Sequence, residues 1–352
     1  MAALSPKRLT NEILHHVSRG VAPMVVSSPG IGKSSIARLV ADTLQLELID
    51  IRLSQCTPED LQGFPMKVQK EVTLADGTVQ TVHKADFIPF SIFPLEGETP
   101  PEGKRGWLLF LDEITSATKP VQAAAYKLVL DHMVGSYRLH ESCAIMAAGN
   151  KATDKAVVNQ MSTALMTRMS QLEMEPNAAE WIEWAYSADI DTRVIAYIGY
   201  KNSHLMQFDP NKDKGTFACP RTWEFLSDLI KDTNLSAHDA TRVESVIGTG
   251  VGPQFLTFVK EFDNIPKFED IMADPSGCLV PPEMSTKYAT AAMLTERIDE
   301  KNAGKLLTYI DRFAIDLKII FMRGAAIRCP ELPVKNKDFK AEMLKLGRYL
   351  RS

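Results

Sequence analysis

Residues 27–34 carry the strongest chemical signal in the chain, the run Ser-Ser-Pro-Gly-Ile-Gly-Lys-Ser. Glycines allow backbone N–H groups to converge on phosphate oxygens, and a following helix presents its positive N-terminal end to them. Lys33 would then reach the outer phosphates, and the Ser34 hydroxyl would be a magnesium ligand. An ordinary glycine-containing turn between a strand and a helix is the alternative. We predict a nucleotide-binding loop made of Pro29, Gly30, Ile31, Gly32, Lys33, Ser34 and Ser35.

Two adjacent acids, Asp112 and Glu113, follow an apolar run that begins at Trp107. An acid at the end of a buried strand can hold a magnesium ion, and a second acid can orient and polarise a water molecule. We therefore predict that Asp112 binds the metal together with Ser34 and that Glu113 supports hydrolysis. The alternative is a strand that ends in a solvated acidic turn.

Asn150 follows the apolar run 144–148, which predicts an amide at the tip of another central strand. There it could orient the attacking water beside Glu113, or it could cap the next turn. Residues 150–154, Asn-Lys-Ala-Thr-Asp, are similar to the guanine-reading N-K-x-D pattern, but the Asp stands one residue late. Because this shift would misplace the carboxylate, adenine is the favoured base and ATP the favoured nucleotide.

Two arginines complete the candidate site: Arg168 at the end of one predicted helix and Arg221 at the start of another. A guanidinium is permanently charged and forked, which suits phosphate oxygens. One supplied by a neighbouring subunit would couple hydrolysis to assembly. For each arginine, a surface ion pair is the alternative.

A parallel sheet covered by helices must position these side chains, because short apolar runs alternate with helical patterns over roughly the first 175 residues. In such sheets, function collects at the carboxyl ends of the strands. Two interruptions, near 63–106 and 133–143, each contain a hairpin signal, which in the first is Ala75-Asp76-Gly77. The predicted strands of the sheet are 24–27, 48–52, 107–111 and 144–148.

The pattern turns helical from residue 177 onward. We predict an α/β nucleotide-binding core over 1–175, a helical lid over 176–235 and a helical region of unknown role over 236–352. The C-terminal helix is amphipathic and basic, which favours a solvated face over a binding patch. The predicted helices are 178–188, 193–200, 222–231, 243–248, 253–262, 285–299, 306–323 and 339–350.

Taken in order, the motifs resemble the set of the AAA+ ATPases, with residues 28–34 as the Walker A motif and 109–114 as Walker B. The matches continue at 148–150, 164–168 and 220–221, and the resemblance spans roughly residues 5–235. Within AAA+, the chain resembles the MoxR-like ATPases. Residues 57–63, Thr-Pro-Glu-Asp-Leu-Gln-Gly, are similar to the start of that family's insertion in the second helix, and a hairpin precedes the sensor strand. Two positions depart from the pattern, Ser27 for the first glycine and Met169 for the usual Phe.

The resemblance implies the roles of sensor 1 for Asn150, arginine finger acting in trans for Arg168 and sensor 2 for Arg221. It also implies Mg²⁺-dependent ATP hydrolysis by a ring, usually a hexamer. Such rings remodel or mature partner proteins, often together with a protein that carries a von Willebrand factor A domain. Two alternatives stay open: a DNA-acting AAA+ motor or loader, and an ATP-gated assembly scaffold.

Composition fits a soluble globular protein of two or three domains, since 45% of the 352 residues are hydrophobic and 24% are charged. A net charge of −4 gives no overall attraction to nucleic acid or anionic membranes. The five cysteines are scattered without zinc spacing, which predicts reduced thiols. There is no apolar signal segment and no run of about 18 apolar residues, so we expect a cytoplasmic protein. Four phenylalanines around the first interruption could grip a client protein or pack locally: Phe64, Phe87, Phe90 and Phe93.

Overall fold

The structure is a computed structural model that describes residues 2–154, 159, 161–210 and 215–347. The chain divides into two compact units, Met1–Glu175 and Pro176–Ser352. The strands of the first unit are β1 (Pro23–Ser27), β2 (Leu46–Arg52), β3 (Phe64–Thr73), β4 (Val79–Ile88), β5 (Gly106–Asp112), β6 (Met133–Val134), β7 (Tyr137–Arg138), β8 (Cys143–Asn150) and β9 (Ser170–Glu173). Its helices are α1 (Pro6–Ser18), α2 (Lys33–Thr43), α3 (Pro58–Gln62), α4 (Lys119–Asp131) and α5 (Thr163–Met166).

Five parallel strands form the central sheet in the order β2-β5-β8-β1-β9. All seven positions of β5 are buried, as expected for a strand covered by helices on both faces. The four predicted strands are present as β1, β2, β5 and β8. This sheet and the helical region that follows it confirm the predicted fold class, an α/β core with a parallel sheet flanked by helices and a helical extension.

The fifth strand, β9, was not predicted. Its four residues, Ser-Gln-Leu-Glu, include one large apolar side chain, so they lack the apolar run of a fully buried strand. It pairs with β1, and the next residue, Met174, forms a separate parallel bridge with Leu4. This strand therefore forms because it pairs with its neighbours, and its own sequence pattern does not predict it.

Both predicted hairpins are present. The first pairs β3 with β4 over ten residues each, and its turn contains Gly77 at φ +85°. Asp76 accepts a hydrogen bond from the Thr78 backbone N–H at 2.9 Å within that turn, the local bond that favours Asp in turns. The second hairpin is short and pairs β6 with β7.

The second unit is helical within its described residues. Its helices are α6 (Ala178–Ser187), α7 (Thr192–Tyr200), α8 (Pro220–Ile230), α9 (Ala240–Ile247), α10 (Gly252–Val259), α11 (Phe268–Ala273), α12 (Met284–Arg297), α13 (Ala303–Ile310), α14 (Ile315–Arg328), α15 (Leu332–Lys335) and α16 (Lys337–Lys345). No helix in the described part of the chain is long and apolar enough to cross a bilayer.

The predicted single helix over 306–323 is wrong, because α13 ends at Ile310 and α14 begins at Ile315. The break contains no glycine or proline that would mark it in the sequence. Phe313 is 8% exposed and packs into the core there, and Arg312 donates to the carbonyl of Cys278 at 2.6 Å. These tertiary contacts hold a turn that local propensity does not require. The predicted helix over 339–350 is present in part as α16, which ends at Lys345, and residues 348–350 lie outside the described range.

Two hydrophobic clusters fill the second unit. The first contains side chains from α6 through α10 together with Ala289 and Ala292 of α12, and the second contains side chains from α11 through α16. Phe255 and Val243 are fully buried in the first cluster, beside Trp223 of α8. Helices on both sides of residue 235 thus share one core, and the boundary at that residue stays a prediction.

Candidate active site

The loop between β1 and α2 has the conformation that a phosphate-binding loop needs. Gly30 and Gly32 both have left-handed backbones, at φ +77° and +97°, which side chains other than glycine rarely tolerate. The helix α2 begins at Lys33, directly after Gly32. Its first N–H groups lie at the helix N-terminus, and these groups and the helix dipole favour an anion.

The Lys33 ammonium group lies at the carboxyl ends of β1 and β8. Its Nζ donates to Asn150 Oδ1 at 2.9 Å, to Ser27 Oγ at 3.1 Å and to the Ser28 carbonyl at 3.3 Å. Ser27 is fully buried, and it pairs with Asn150 in the register of the sheet. The serine that replaces the first glycine of the motif therefore adds a hydroxyl acceptor for the lysine.

Ser34 and Asp112 lie together on the other side of the loop. The Ser34 hydroxyl donates to Asp112 Oδ2 at 3.2 Å, and Asp112 is 8% exposed. Mg²⁺ prefers oxygen ligands and is commonly held by one or two carboxylates together with substrate phosphates and water. Within the described residues, no group of three or more His, Cys, Asp or Glu side chains is arranged to hold a metal. A hydroxyl and one buried carboxylate at the phosphate loop fit magnesium bound with a nucleotide.

Negative charge is concentrated beside this pair. Burial and the neighbouring Asp112 carboxylate raise the pKa of Asp50 on β2, the Glu113 carboxylate adds to this shift, and Arg52 and Arg38 oppose it. A divalent cation at Asp112 would reduce this repulsion between carboxylates. Sequence reasoning did not identify Asp50, which is an exposed residue of β2 and belongs to no motif.

Glu113 occupies a turn directly after β5 with a left-handed backbone, φ +56°. Its backbone N–H donates to Asp112 Oδ1 at 2.8 Å, which fixes the two acids relative to each other. The Ser54 hydroxyl donates to Glu113 Oε2. Ser54 follows β2 by two residues, and the last residue of β2, Arg52, pairs with Asp112. Its place after a strand that ends at the same sheet edge is the one signal that could have identified it.

Asn150 is fixed by a hydrogen bond from its backbone N–H as well as by the contact of its side chain with Lys33. Its N–H donates to Thr115 Oγ1 at 2.9 Å, and Thr115 is 6% exposed. The preceding residue has to be small, because a Cβ on Gly149 would lie 2.5 Å from Thr115 Cγ2. The structure therefore brings Lys33, Asn150, Ser34 and Asp112 to one edge of the sheet, with Glu113 next in the chain.

Arg168 lies two residues after α5, and its side chain is exposed. It makes no ion pair or side-chain hydrogen bond with any residue that the structure describes. The next residue, Met169, is 8% exposed and packs into the core of the first unit, so the departure from Phe keeps an apolar anchor. This arrangement fixes the backbone of Arg168 and leaves its guanidinium accessible.

Arg221 is exposed in the first turn of α8, in the second unit. Thr222 caps this helix, with its Oγ1 accepting from the Cys219 N–H at 2.8 Å. The roles predicted for Arg168 and Arg221 both stay predictions.

Residues 23–176 match the model of the ATPase family associated with various cellular activities (AAA), which is less than half of the chain. The first unit therefore contains an AAA-family domain, the kind of domain that binds nucleotides. No curated protein matches the chain.

Several solved structures align with this chain at low sequence identity and low TM-score. NtrX from Brucella abortus in complex with ADP is 12% identical, with a TM-score of 0.39, over 99% of this chain and 70% of that one. The Holliday junction branch migration motor RuvB from Thermotoga maritima is 13% identical, with a TM-score of 0.33, over 97% and 87% of the two chains. Similarity at this level adds nothing to the assignment of function.

Proposed function

We propose that this protein is a magnesium-dependent ATPase of the MoxR-like AAA+ type. The observation that carries the proposal is the convergence of Lys33, Ser34, Asp112 and Asn150 at one sheet edge, with 2.9 Å between Lys33 Nζ and Asn150 Oδ1 and 3.2 Å between Ser34 Oγ and Asp112 Oδ2. The AAA-family match covers all four residues.

The loop binds the phosphates of ATP through its backbone N–H groups and through Lys33, which exchanges its protein oxygens for phosphate oxygens. Ser34 and Asp112 would hold Mg²⁺. When bound, this ion neutralises charge on the phosphates. The favoured base is adenine, because Asp154 stands one residue beyond the position of a guanine-reading acid.

Glu113 acts on the attacking water. The water oxygen bonds to the γ-phosphorus, the bond from that phosphorus to the β–γ bridging oxygen breaks, and ADP and phosphate leave. One water proton stays on the phosphate and the other is released to solvent. Glu113 accepts a hydrogen bond from this water and orients it, and Asn150 holds the water or a phosphate oxygen beside it. In the structure one oxygen of the Glu113 carboxylate, Oε2, accepts a hydrogen bond from Ser54, which competes with the water for this oxygen.

Arg168 completes the site of a neighbouring copy of the chain. Its accessible side chain supports this assignment, since a guanidinium supplied in trans stabilises the charge of the transition state. Arg221 of the same chain serves as sensor 2. We further propose a hexameric ring that remodels or matures partner proteins, including one with a von Willebrand factor A domain. Phe64, Phe87 and Phe90 are 56%, 44% and 41% exposed and support contact with a client, whereas Phe93 is buried.

The proposal is tested by measuring ATP binding and phosphate release in Glu113→Gln and Lys33→Met. Glu113→Gln keeps the side-chain shape, so ATP affinity should stay within about threefold while turnover falls about 100-fold or more. Lys33→Met should weaken ATP binding by about tenfold or more, because it removes the charge that contacts the phosphates. Chelation of magnesium with EDTA should stop hydrolysis in the wild type.

Glu59→Gln is the matched control, the same chemical change at an exposed position of α3. It should leave both quantities unchanged. Hydrolysis by Glu113→Gln near the wild-type rate would show that Glu113 has been assigned the wrong role.

A further inference from the structure

The turn Glu113–Ala117, which begins at the second catalytic acid, is largely buried, and the carbonyls of Glu113, Ile114, Thr115 and Ala117 all accept hydrogen bonds. The Ile114 and Ala117 side chains are fully buried, and the Ile114 N–H donates to the Ala148 carbonyl of β8 at 3.0 Å. The Glu113 carbonyl accepts from the Ser116 N–H at 2.9 Å inside the turn. The carbonyls of Ile114, Thr115 and Ala117 need partners from outside the turn, because buried carbonyls without partners are costly.

Gln122, the fourth residue of α4, supplies one of these partners. It is a polar side chain with only 5% exposure. Its Nε2 donates to the Ile114 carbonyl at 3.0 Å, with longer approaches of 3.4 Å to the carbonyls of Ala117 and Asn159. A buried amide placed among three carbonyls of two segments connects those segments.

Asn159 supplies the remaining partners. Its backbone N–H donates to the Thr115 carbonyl at 2.7 Å, and its Nδ2 donates to the Ala117 carbonyl at 2.9 Å. The chain then continues into residues 161–169, where Met161, Leu165 and Met169 are buried in the core of the first unit. Arg168 is carried by this packed segment.

We propose that Gln122 is a positioning residue that fixes the Glu113 turn to the segment that carries Arg168. The assignment rests on the proposed ATPase function. Through the Ile114 carbonyl, Gln122 holds the backbone of the turn that begins at the catalytic acid, and through Asn159 it holds the start of the segment that leads to the finger. One buried amide thus contacts both the turn that begins at Glu113 and Asn159, which precedes the segment that carries Arg168.

The kinetic test compares Gln122→Met with Val129→Ala. Methionine keeps the length of the side chain and removes the donor, whereas Val129 lies on the same helix, is equally buried at 5% exposure and packs without polar contacts through its side chain. Small displacements of catalytic groups reduce turnover strongly. We expect kcat of Gln122→Met to fall about tenfold or more with KM within about twofold, and both constants of Val129→Ala to stay within about twofold of the wild type.

Hydrogen–deuterium exchange of the full-length variants provides a second measurement that does not need hydrolysis. Gln122→Met should speed exchange about tenfold in both the 113–118 and the 161–169 segments, and Val129→Ala should not speed both. Faster exchange in the turn alone, or equal effects of the two variants, would overturn the linkage, as would an unchanged kcat in Gln122→Met.

The two measurements separate this linkage from the ATPase assignment. A wild-type protein that does not hydrolyse ATP would contradict the proposed function, and paired loosening of the two segments in Gln122→Met would still support the linkage. A wild-type ATPase in which exchange rises in only one segment would keep the function and overturn the linkage.

Discussion

Ser54 controls where the Glu113 carboxylate lies. Its hydroxyl donates to Glu113 Oε2 from the end of β2, the edge strand of the sheet. Lys33 lies at the end of β1, and β2 and β1 are on opposite sides of β5. The Ser54 contact therefore holds the catalytic carboxylate on the side of β5 away from the phosphate loop.

Removing this hydrogen bond should raise basal hydrolysis. In Ser54→Ala the Glu113 carboxylate loses one partner that competes with the attacking water, and we expect turnover to rise about two- to fivefold, since a hydrogen bond at an exposed position contributes about 1 kcal/mol or less. ATP affinity should not change. Steady-state phosphate release and ATP titration measure the two quantities.

Ser116→Ala is a suitable control for this variant, because it removes a serine hydroxyl from the same region without touching the Glu113 carboxylate. Its turnover should equal that of the wild type. A fall in turnover in Ser54→Ala would mean that the serine holds Glu113 in its productive position.

At the residue scale, the sequence predicts side chains that belong to local motifs and misses those that tertiary contacts define. Lys33 and Ser34 are adjacent in a recognisable loop, and Asp112 ends an apolar strand. Ser54 and Gln122 carry no motif. Their contacts with the site depend on strand order and on the packing of α4, which spacing along the chain does not specify.

At the element scale, α14 and α16 are joined by a half-buried ion pair. Lys318 Nζ lies 2.5 Å from Glu342 Oε1, and the two side chains are 13% and 14% exposed. Lys318 also pairs with Asp311, and Lys345 donates to the other oxygen of Glu342 at 3.0 Å from a side chain that is 72% exposed. One carboxylate thus accepts from a shielded lysine and from an exposed lysine.

The two lysines form a matched pair for a stability measurement. Lys318→Met should lower the free energy of unfolding by about 1–3 kcal/mol at pH 7, because it leaves a shielded carboxylate with one exposed partner. Lys345→Met should cost less than about 1 kcal/mol, since its charge is screened by solvent. Urea titration followed by tryptophan fluorescence reports this difference, because Trp181, Trp184 and Trp223 lie in the second unit.

The pH dependence of this effect has a defined sign. Hydrogen bonding from Lys318 lowers the pKa of Glu342 below its ordinary value of 4.5, and burial opposes the shift. An acid with a lowered pKa in the folded state contributes stability above its unfolded pKa and loses it as the pH falls through the folded value. The cost of Lys318→Met should be full at pH 7 and shrink below pH 4.5. An equal cost at pH 3 and pH 7 would assign the effect to packing of the lysine side chain.

Helices and strands were predictable where the hydrophobic or turn pattern in the sequence is strong. The buried run of β5 and the Asp76-Gly77 turn of the hairpin are local signals, and both elements form. The end of α13 at Ile310 has no breaker in the sequence and follows from the burial of Phe313. β9 is too short to show a period and depends on pairing with β1.

At the scale of the whole molecule, the fold class follows from the alternation of strands and helices before residue 175 and from the helices after it. The proposed assembly adds one feature that a single chain does not have, an active site completed by a neighbouring copy. Arg168 is offered outward from the first unit, and the site that it would complete belongs to another copy.

An active site shared between neighbouring subunits can be tested by ATP hydrolysis in a mixture of two inactive variants. Glu113→Gln subunits lack the catalytic acid and still offer Arg168, whereas Arg168→Ala subunits keep the acid and offer no finger. Each protein alone should hydrolyse ATP at less than about 1% of the wild-type rate. In an equal mixture, half of the sites keep Glu113 and half of their neighbours keep Arg168, so we predict about a quarter of wild-type activity. A mixture no more active than its two components would contradict a site shared between subunits.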